Sequence, residues 1–169
     1  MYTNKGKRDI LIFPKFKNLE LIQDFRIKYD PLANLIPPHI TLAFPFLDDI
    51  SNEELIAKLS NLLISFKPFG IIFKGISISD DNYIFLNCTK GSQEIIQLHD
   101  DIYKQIIPKH FKKSIKYVPH ITMGLSYNIK ELYAFEHEFK TIVDEISIEL
   151  IGEHEESIII KNIRLGGSI

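Results

Sequence analysis

The chain has 169 residues, 45% of them hydrophobic, with a single cysteine and a formal net charge of −2. That length predicts one domain spanning 1–169, able to bury roughly 70% of its unfolded surface without a staple. Lone Cys88 excludes an internal disulfide and fits a reducing compartment. The charge balance supplies no overall positive field for long nucleic acid, so DNA is not an expected partner. No apolar run approaches the ~20 residues of a membrane span, and Ile10 to Phe13 is too short for a signal-peptide core, so the expected location is the cytoplasm.

In chain order, Arg8 to Pro14 reads as a first strand, a short apolar run ended by proline. Asn18 to Tyr29 carries Leu19, Ile22 and Phe25 at helical spacing, and Asp30-Pro31 closes it because the residue before proline leaves the helical region. Pro37-Pro38 leads into a strand from His39 to about Phe44. Ser51-Asn52-Glu53-Glu54 is a capping box that opens a helix bearing Leu55, Leu59, Leu62 and Leu63, stopped by Pro68. Phe69 to Ser79 and Tyr83 to Cys88 are strands around the Asp80-Asp81-Asn82 turn. Gln93 to Ile107 is helical, with Ile95, Leu98, Ile102 and Ile106 on one side. A second proline-led strand runs from about Val118 to Leu125. Asn128 to about His137 has the start of a capped helix, and two strands follow, Thr141 to Ile151 and Ser157 to Leu165.

Each half of the chain thus gives roughly β-α-β-α-β-β, the pattern of an internal duplication. The expected class is α+β: a duplicated bilobal fold of two pseudo-symmetric lobes, two mostly antiparallel sheets facing a central cleft, helices outside.

The duplication has a chemical signature. Pro-His-Ile-Thr occurs at Pro38 to Thr41 and again at Pro119 to Thr122, 81 positions apart. A lone His-x-Thr on a strand is commonplace. Two copies at half-chain spacing, each after a proline and before a capped helix start, are not. Alternation puts His39, Thr41 and Ala43 on one face, and His120, Thr122 and Gly124 on the matching face of the second copy. The small residues, Ala43 and Gly124, are expected to leave room for a ligand. Around one cleft, one neutral histidine can take a proton and the other, protonated, can give one. Thr41 and Thr122 can donate to the charged oxygens of a phosphate. Histidine suits both roles because its ordinary pKa of ~6.5 lets both forms exist near neutrality.

With these residues the chain resembles the 2H phosphoesterase superfamily, the 2'-5' RNA ligase-like proteins, whose members carry one His-x-Thr/Ser motif per lobe. Neither His39-Ile40-Thr41 nor His120-Ile121-Thr122 departs from that pattern. Ile12-Phe13-Pro14, Lys28 to Pro31, Leu35 to His39 and Val118 to His120 are similar to a bacterial branch, the YjcG-like proteins. The resemblance implies a metal-independent site without cofactor. His39, Thr41, His120 and Thr122 would be its catalytic residues, acting on a 2',3'-cyclic phosphate or a 2'-5' phosphodiester. The implied partner is a small nucleotide or an RNA terminus. The oligomeric state is left open.

Two other readings use the same residues. One is a non-catalytic module that binds a nucleotide or RNA end. The other is a metal site, which the histidines reach without a carboxylate or cysteine at ligand spacing. No Gly-x-x-x-x-Gly-Lys loop points to ATP. His99, His110, His137 and His154 read as ordinary, and Cys88 as core rather than nucleophile. Lys104, Lys109, His110, Lys112, Lys113 and Lys116 cluster before the second motif, as a solvated surface or as a steering patch for phosphate. Tyr83, Tyr117 and Tyr127 are candidate platforms for a base.

Overall fold

The computed structural model describes residues 4, 6–126 and 134–167. β1 (Arg8–Ile12) leads through α1 (Leu19–Tyr29) to β2 (Ile40–Phe46), and α2 (Asn52–Leu63) precedes the hairpin of β3 (Phe69–Ile78) and β4 (Tyr83–Lys90). Then come α3 (Ser92–Gln105), β5 (His120–Leu125), β6 (Phe139–Val143), β7 (Glu145–Ile151) and β8 (Ser157–Arg164). The local chemistry matches these starts and stops. The Ser51 hydroxyl accepts the Glu54 N–H at 3.1 Å and caps α2, a contact worth about 1 kcal/mol. Leu55, Leu59, Leu62 and Leu63 are the buried residues of that helix, each worth roughly 1.5–3 kcal/mol on burial. Asn82 turns the β3–β4 hairpin at φ 64, a conformation asparagine tolerates. The expected capped helix at Asn128 lies outside the described residues.

The α+β class is as expected, but the sheets are not two. Among the described residues eight strands form one sheet in the order β6-β3-β4-β5-β2-β1-β7-β8, with every pairing antiparallel. The two motif strands sit at its centre and pair with each other through Ile40 and Ile121. Nor does each half of the chain keep its own strands. The β3–β4 hairpin, from the first half, flanks β5, while β7 and β8 flank β1. Thr141 to Ile151 is not one strand either. It breaks at Asp144 into β6, at one edge of the sheet, and β7, next to the other edge. Val143 and Glu145 are separated by only one residue, which spans at most about 7 Å. The sheet must therefore curl until its ends approach each other.

One face of this curled sheet holds the core: Ile10, Ile12, Ile40, Leu42, Ile84, Leu86, Ile121, Met123, Ile146 and Ile148, all essentially without solvent contact. The helices cover that face crosswise. α1 joins β1 to β2 but packs against β5, and α3 joins β4 to β5 but packs against β2. Each motif strand is thus backed by the helix of the other motif, and α2 packs on β8. Among the described residues no helix is long and apolar enough to cross a membrane.

Candidate functional site

The Ile40–Ile121 pairing fixes the site. Both isoleucines point into the core with no exposure, so the residues on either side of each point to the opposite face. Extending the antiparallel register by one residue each way sets His39 across from Thr122, and Thr41 across from His120. All four residues are half-buried, while the prolines before them and the isoleucines between them are buried. Cross-strand neighbours lie about 5 Å apart and same-face neighbours along a strand about 7 Å apart. The four groups therefore form a small array with each histidine diagonal to the other, a size suited to one phosphate.

Both imidazoles are held alike. His39 Nδ1 lies 2.8 Å from the Pro37 carbonyl oxygen, and His120 Nδ1 lies 2.7 Å from that of Val118. A carbonyl only accepts, so each Nδ1 carries hydrogen and each neutral ring has its lone pair at Nε2, which no hydrogen bond among the described residues engages. The proline between carbonyl and histidine has its φ locked near −65°, which makes this a stiff mount. No hydrogen bond among the described residues engages the side-chain hydroxyl of Thr41 or Thr122.

Ala43 and Gly124 do not lie beside the histidines, contrary to the alternation argument. Each strand carries a β-bulge directly after its threonine. The pairing shifts between Leu11–Thr41 and Ile10–Ala43, and likewise between Phe85–Thr122 and Ile84–Gly124. A bulge adds one residue and turns its successor to the same side. Ala43 therefore sits in the core and Gly124 faces α1. Gly124 has φ 136, and a Cβ there would lie 2.3 Å from the Tyr29 carbonyl oxygen. These residues are small to let a helix approach, not to admit a ligand.

The electrostatics differ between the motifs. Burial strips water from the His39 imidazolium and lowers its pKa to about 4. The Pro37 carbonyl and Asp30 oppose that shift, and Arg26 and His120 add to it. Arg26 is 1% exposed, and its guanidinium meets one Asp30 carboxylate oxygen at 2.9 and 3.0 Å. His120 is also lowered by burial, against the Val118 carbonyl. Its ring stacks on Phe85, with centroids 3.6 Å apart and planes 21° apart. His39 meets Phe13 edge-on at 6.2 Å, its one ring contact among the described residues.

Of the other candidates, Tyr83 is exposed at the end of β4. Tyr117 donates its hydroxyl to the Thr41 carbonyl oxygen at 2.8 Å and stacks on His99 at 3.8 Å, so it braces the strand. Tyr127 lies outside the described residues. His99 is buried, with Nδ1 2.8 Å from Asp100, and His110 pairs with Asp48 at 2.8 Å. Cys88 is part-buried with its thiol pushed up to about 11 by burial, which keeps it protonated at neutral pH. Among the described residues no group of three or more His, Cys, Asp or Glu side chains is placed to hold a metal ion. Sequence reading missed Phe85 and Arg26. It also missed Asp9 and Glu149, two buried carboxylic residues opposite each other on β1 and β7. Burial, and after it the neighbouring Glu149 carboxylate, pushes the Asp9 carboxyl well above the usual carboxylate range.

A fold of this topology with two matched histidine-threonine pairs at its centre defines a class. A family model described as the 2'-5' RNA ligase superfamily matches residues 14–149, and the chain belongs to that superfamily. Among its relatives is a Bacillus licheniformis protein named "Putative phosphoesterase", 31% identical over 122 residues, covering 70% of each chain. A Halalkalibacterium halodurans protein of the same description is 28% identical over 151 residues, covering 82% of this chain and 85% of its own. Among solved structures, E. coli LigT complexed with 3'-AMP aligns with a TM-score of 0.66 at 18% identity, over 95% of this chain and 98% of that one. TT0787 of Thermus thermophilus aligns with a TM-score of 0.67 at 14% identity, over 96% and 100%. These structural likenesses concern the fold.

Proposed function

We propose that this protein is a phosphoesterase acting on a 2',3'-cyclic phosphate or a 2'-5' phosphodiester at the ribose of a nucleotide or RNA end. His39 and His120 are its acid–base pair, and Thr41 and Thr122 hold the phosphate. One observation carries the reading: the Ile40–Ile121 junction sets both motifs on one face, with both Nδ1 atoms tied to carbonyls and neither Nε2 atom engaged in a hydrogen bond among the described residues. The relatives named as phosphoesterases support the reaction class, and the LigT complexes with 3'-AMP, NADP+ and ATP support a nucleotide-shaped ligand.

The division of labour follows from the surroundings. His39, held near 4, is neutral at pH 7 and is the base. Its Nε2 takes a proton from water as the water oxygen bonds to phosphorus. Burial lowers the His120 pKa, but the face of Phe85 favours a cation and a bound phosphate anion raises the pKa again. Protonated there, His120 gives the Nε2 hydrogen to the ribose oxygen whose bond to phosphorus breaks. The threonine hydroxyls donate to the non-bridging oxygens, and no step calls for a metal.

The test is hydrolysis of adenosine 2',3'-cyclic phosphate and of a 2'-5' adenylyl dinucleotide in the presence of EDTA. Chromatography with mass detection distinguishes 2'- from 3'-phosphate products. Turnover that survives EDTA and disappears in His39→Ala and His120→Ala is expected. Full turnover in either variant would overturn the assignment, and tight binding with no turnover would make the protein a nucleotide-binding module.

A further inference from the structure

Beside the first motif, past the bulge, lies a cavity of about 330 Å³. Its wall contains none of the four motif side chains but includes the end of the first motif strand, β2. Phe44 lines it, three residues beyond Thr41 on β2. That is about 10 Å of extended strand, less what the bulge takes up. The opposite wall comes from the segment that leads into His120, through Lys109, Phe111 and Lys112. The Tyr117 hydroxyl ties this segment back to the Thr41 carbonyl, and the Tyr103 hydroxyl accepts the Phe44 N–H at 3.0 Å. The cavity is therefore fixed to the reacting centre through rigid contacts.

Its chemistry is of two kinds. Phe44 and Phe111 are 38% and 47% exposed, with Tyr103 meeting Phe111 edge-on at 5.9 Å. Exposed aromatic faces in a cavity suit the flat face of a base. Lys7, Lys109 and Lys112 also line it. Among the described residues none of the three has a carboxylate within ion-pairing distance. The nearby acid Asp48 is taken by His110. Three lysines lining one cavity give it a local positive charge on a chain of net charge −2, which an anion bound there would offset. A bare anion would leave the aromatic faces unused, and an apolar ligand would leave the lysines unused. A nucleotide uses both.

We infer that this cavity is a subsite for the nucleotide next to the one that carries the scissile phosphate, with its base against Phe44 and Phe111 and the phosphate linking the two nucleotides at Lys7, Lys109 and Lys112. The substrate is then an oligonucleotide end rather than a mononucleotide. This rests on the function proposed above, and extends it from the phosphate to what is attached to it.

The experiment compares adenosine 2',3'-cyclic phosphate with the dinucleotide adenylyl-adenosine ending in the same cyclic phosphate. Both are used in the wild type, in the double variant Lys109→Glu/Lys112→Glu, in Phe111→Ala, and in Lys74→Glu/Lys140→Glu as a charge control away from the cavity. In the wild type the dinucleotide should have a KM lower by about tenfold, the scale of one stacked base. The cavity variants should lose that advantage while mononucleotide turnover and the charge control stay unchanged. Anisotropy of a 5'-labelled dinucleotide 3'-phosphate gives a readout independent of chemistry. Its log affinity should fall with log salt more steeply in the wild type than in the lysine variant, by roughly 0.7 per phosphate contact removed. Equal KM for the two substrates, or variants that weaken both alike, would overturn the subsite while leaving the phosphoesterase intact. Dinucleotide binding lost in the lysine variant, in a protein that turns over neither substrate, would leave the subsite standing and remove the phosphoesterase. Neither binding nor turnover would remove both.

Discussion

The two motif regions match in backbone and differ in what touches their rings. Around the Ile40–Ile121 junction the strand registers make Ile12 the counterpart of Leu86 on the core face. On the site face, Leu11 stands beside Thr41 as Phe85 stands beside Thr122. One step further on, Phe13 stands beside His39 as Asn87 stands beside His120. Each half repeats a carbonyl on Nδ1, a bulge after threonine, a small residue under the opposite helix and a helix crossed over from its partner. These repeats are what the backbone needs in order to present an imidazole and a hydroxyl. The side chains around the rings are under no such demand, and there the halves part. A buried Arg26–Asp30 pair stands behind His39, while an aromatic face lies on His120. A symmetric frame can thus seat an acid and a base, because proton affinity is set by neighbours rather than by the strand.

The severest way to break the symmetry is to remove one histidine at a time. Each alanine variant should lower kcat/KM by about 10²–10⁴-fold, and the pair together by little more than the worse single, since acid and base act as a unit. The pH profiles sharpen the comparison. Wild-type activity should fall on the acid side as His39 protonates towards about 4. A base that is lost takes the acid limb with it, and an acid that is lost takes the alkaline limb. If His39→Ala removed the alkaline limb and His120→Ala the acid one, the roles would be reversed.

Next in size is the pair behind His39. Arg26→Leu leaves the Asp30 carboxylate, itself only 9% exposed, without its partner, at a cost of about 3–5 kcal/mol by urea unfolding. Arg26→Leu/Asp30→Leu should recover much of that, and the difference between the cycles measures their coupling. Arg26 lowers the His39 pKa and Asp30 raises it, so removing the arginine alone moves the acid limb to higher pH. An unmoved limb with intact folding would mean that Arg26 has no bearing on the base.

A gentler break exchanges the small residues under the helices. Gly124→Ala puts a Cβ against the Tyr29 carbonyl at a backbone angle that L-residues avoid and should cost about 1–3 kcal/mol. Ala43→Gly loses a buried methyl and stiffens nothing, for about 1 kcal/mol. Equal melting temperatures for the two variants would mean that α1 yields at Gly124 without strain.

What the sequence revealed was local and periodic. Leu55, Leu59 and Leu62 announced α2, Ser51 its cap, and alternation put His39 with Thr41 and His120 with Thr122. Alternation failed one residue later, because a bulge inserts a step that no period of two contains. That is why Ala43 and Gly124 were misplaced. Asp144 looked like part of one strand because a break that sends the chain to the far end of a sheet leaves no mark in composition. The exchange of hairpins, the Asp9–Glu149 contact and the Phe85 stack share one cause. Each depends on which strands pair, β1 with β7 or β4 with β5, and those partners are 136 or more and 33 or more residues apart in sequence respectively. The lysine cluster was legible as a cluster, but its facing aromatics on β2 and α3 were not.

The finest test makes the second half copy the first. Phe85 holds beside Thr122 the place that Leu11 holds beside Thr41, so Phe85→Leu gives both threonines the same neighbour and takes the aromatic face from His120. An imidazolium on an aromatic face gains roughly 0.5–1 kcal/mol, and 1.36 kcal/mol corresponds to about one pKa unit. The His120 pKa, already lowered by burial, should fall further, by about 0.4–0.7 units. With its imidazolium as the proposed acid, the alkaline limb of the activity profile should move to lower pH by that amount, and the acid limb, assigned to His39 in the same proposal, should stay unmoved. NMR titration of the two imidazoles in the presence of a non-hydrolysable phosphate reads both shifts directly. Movement of both resonances together would mean that the rings share one environment. Movement of His120 alone would show that a single phenyl ring separates the acid from the base.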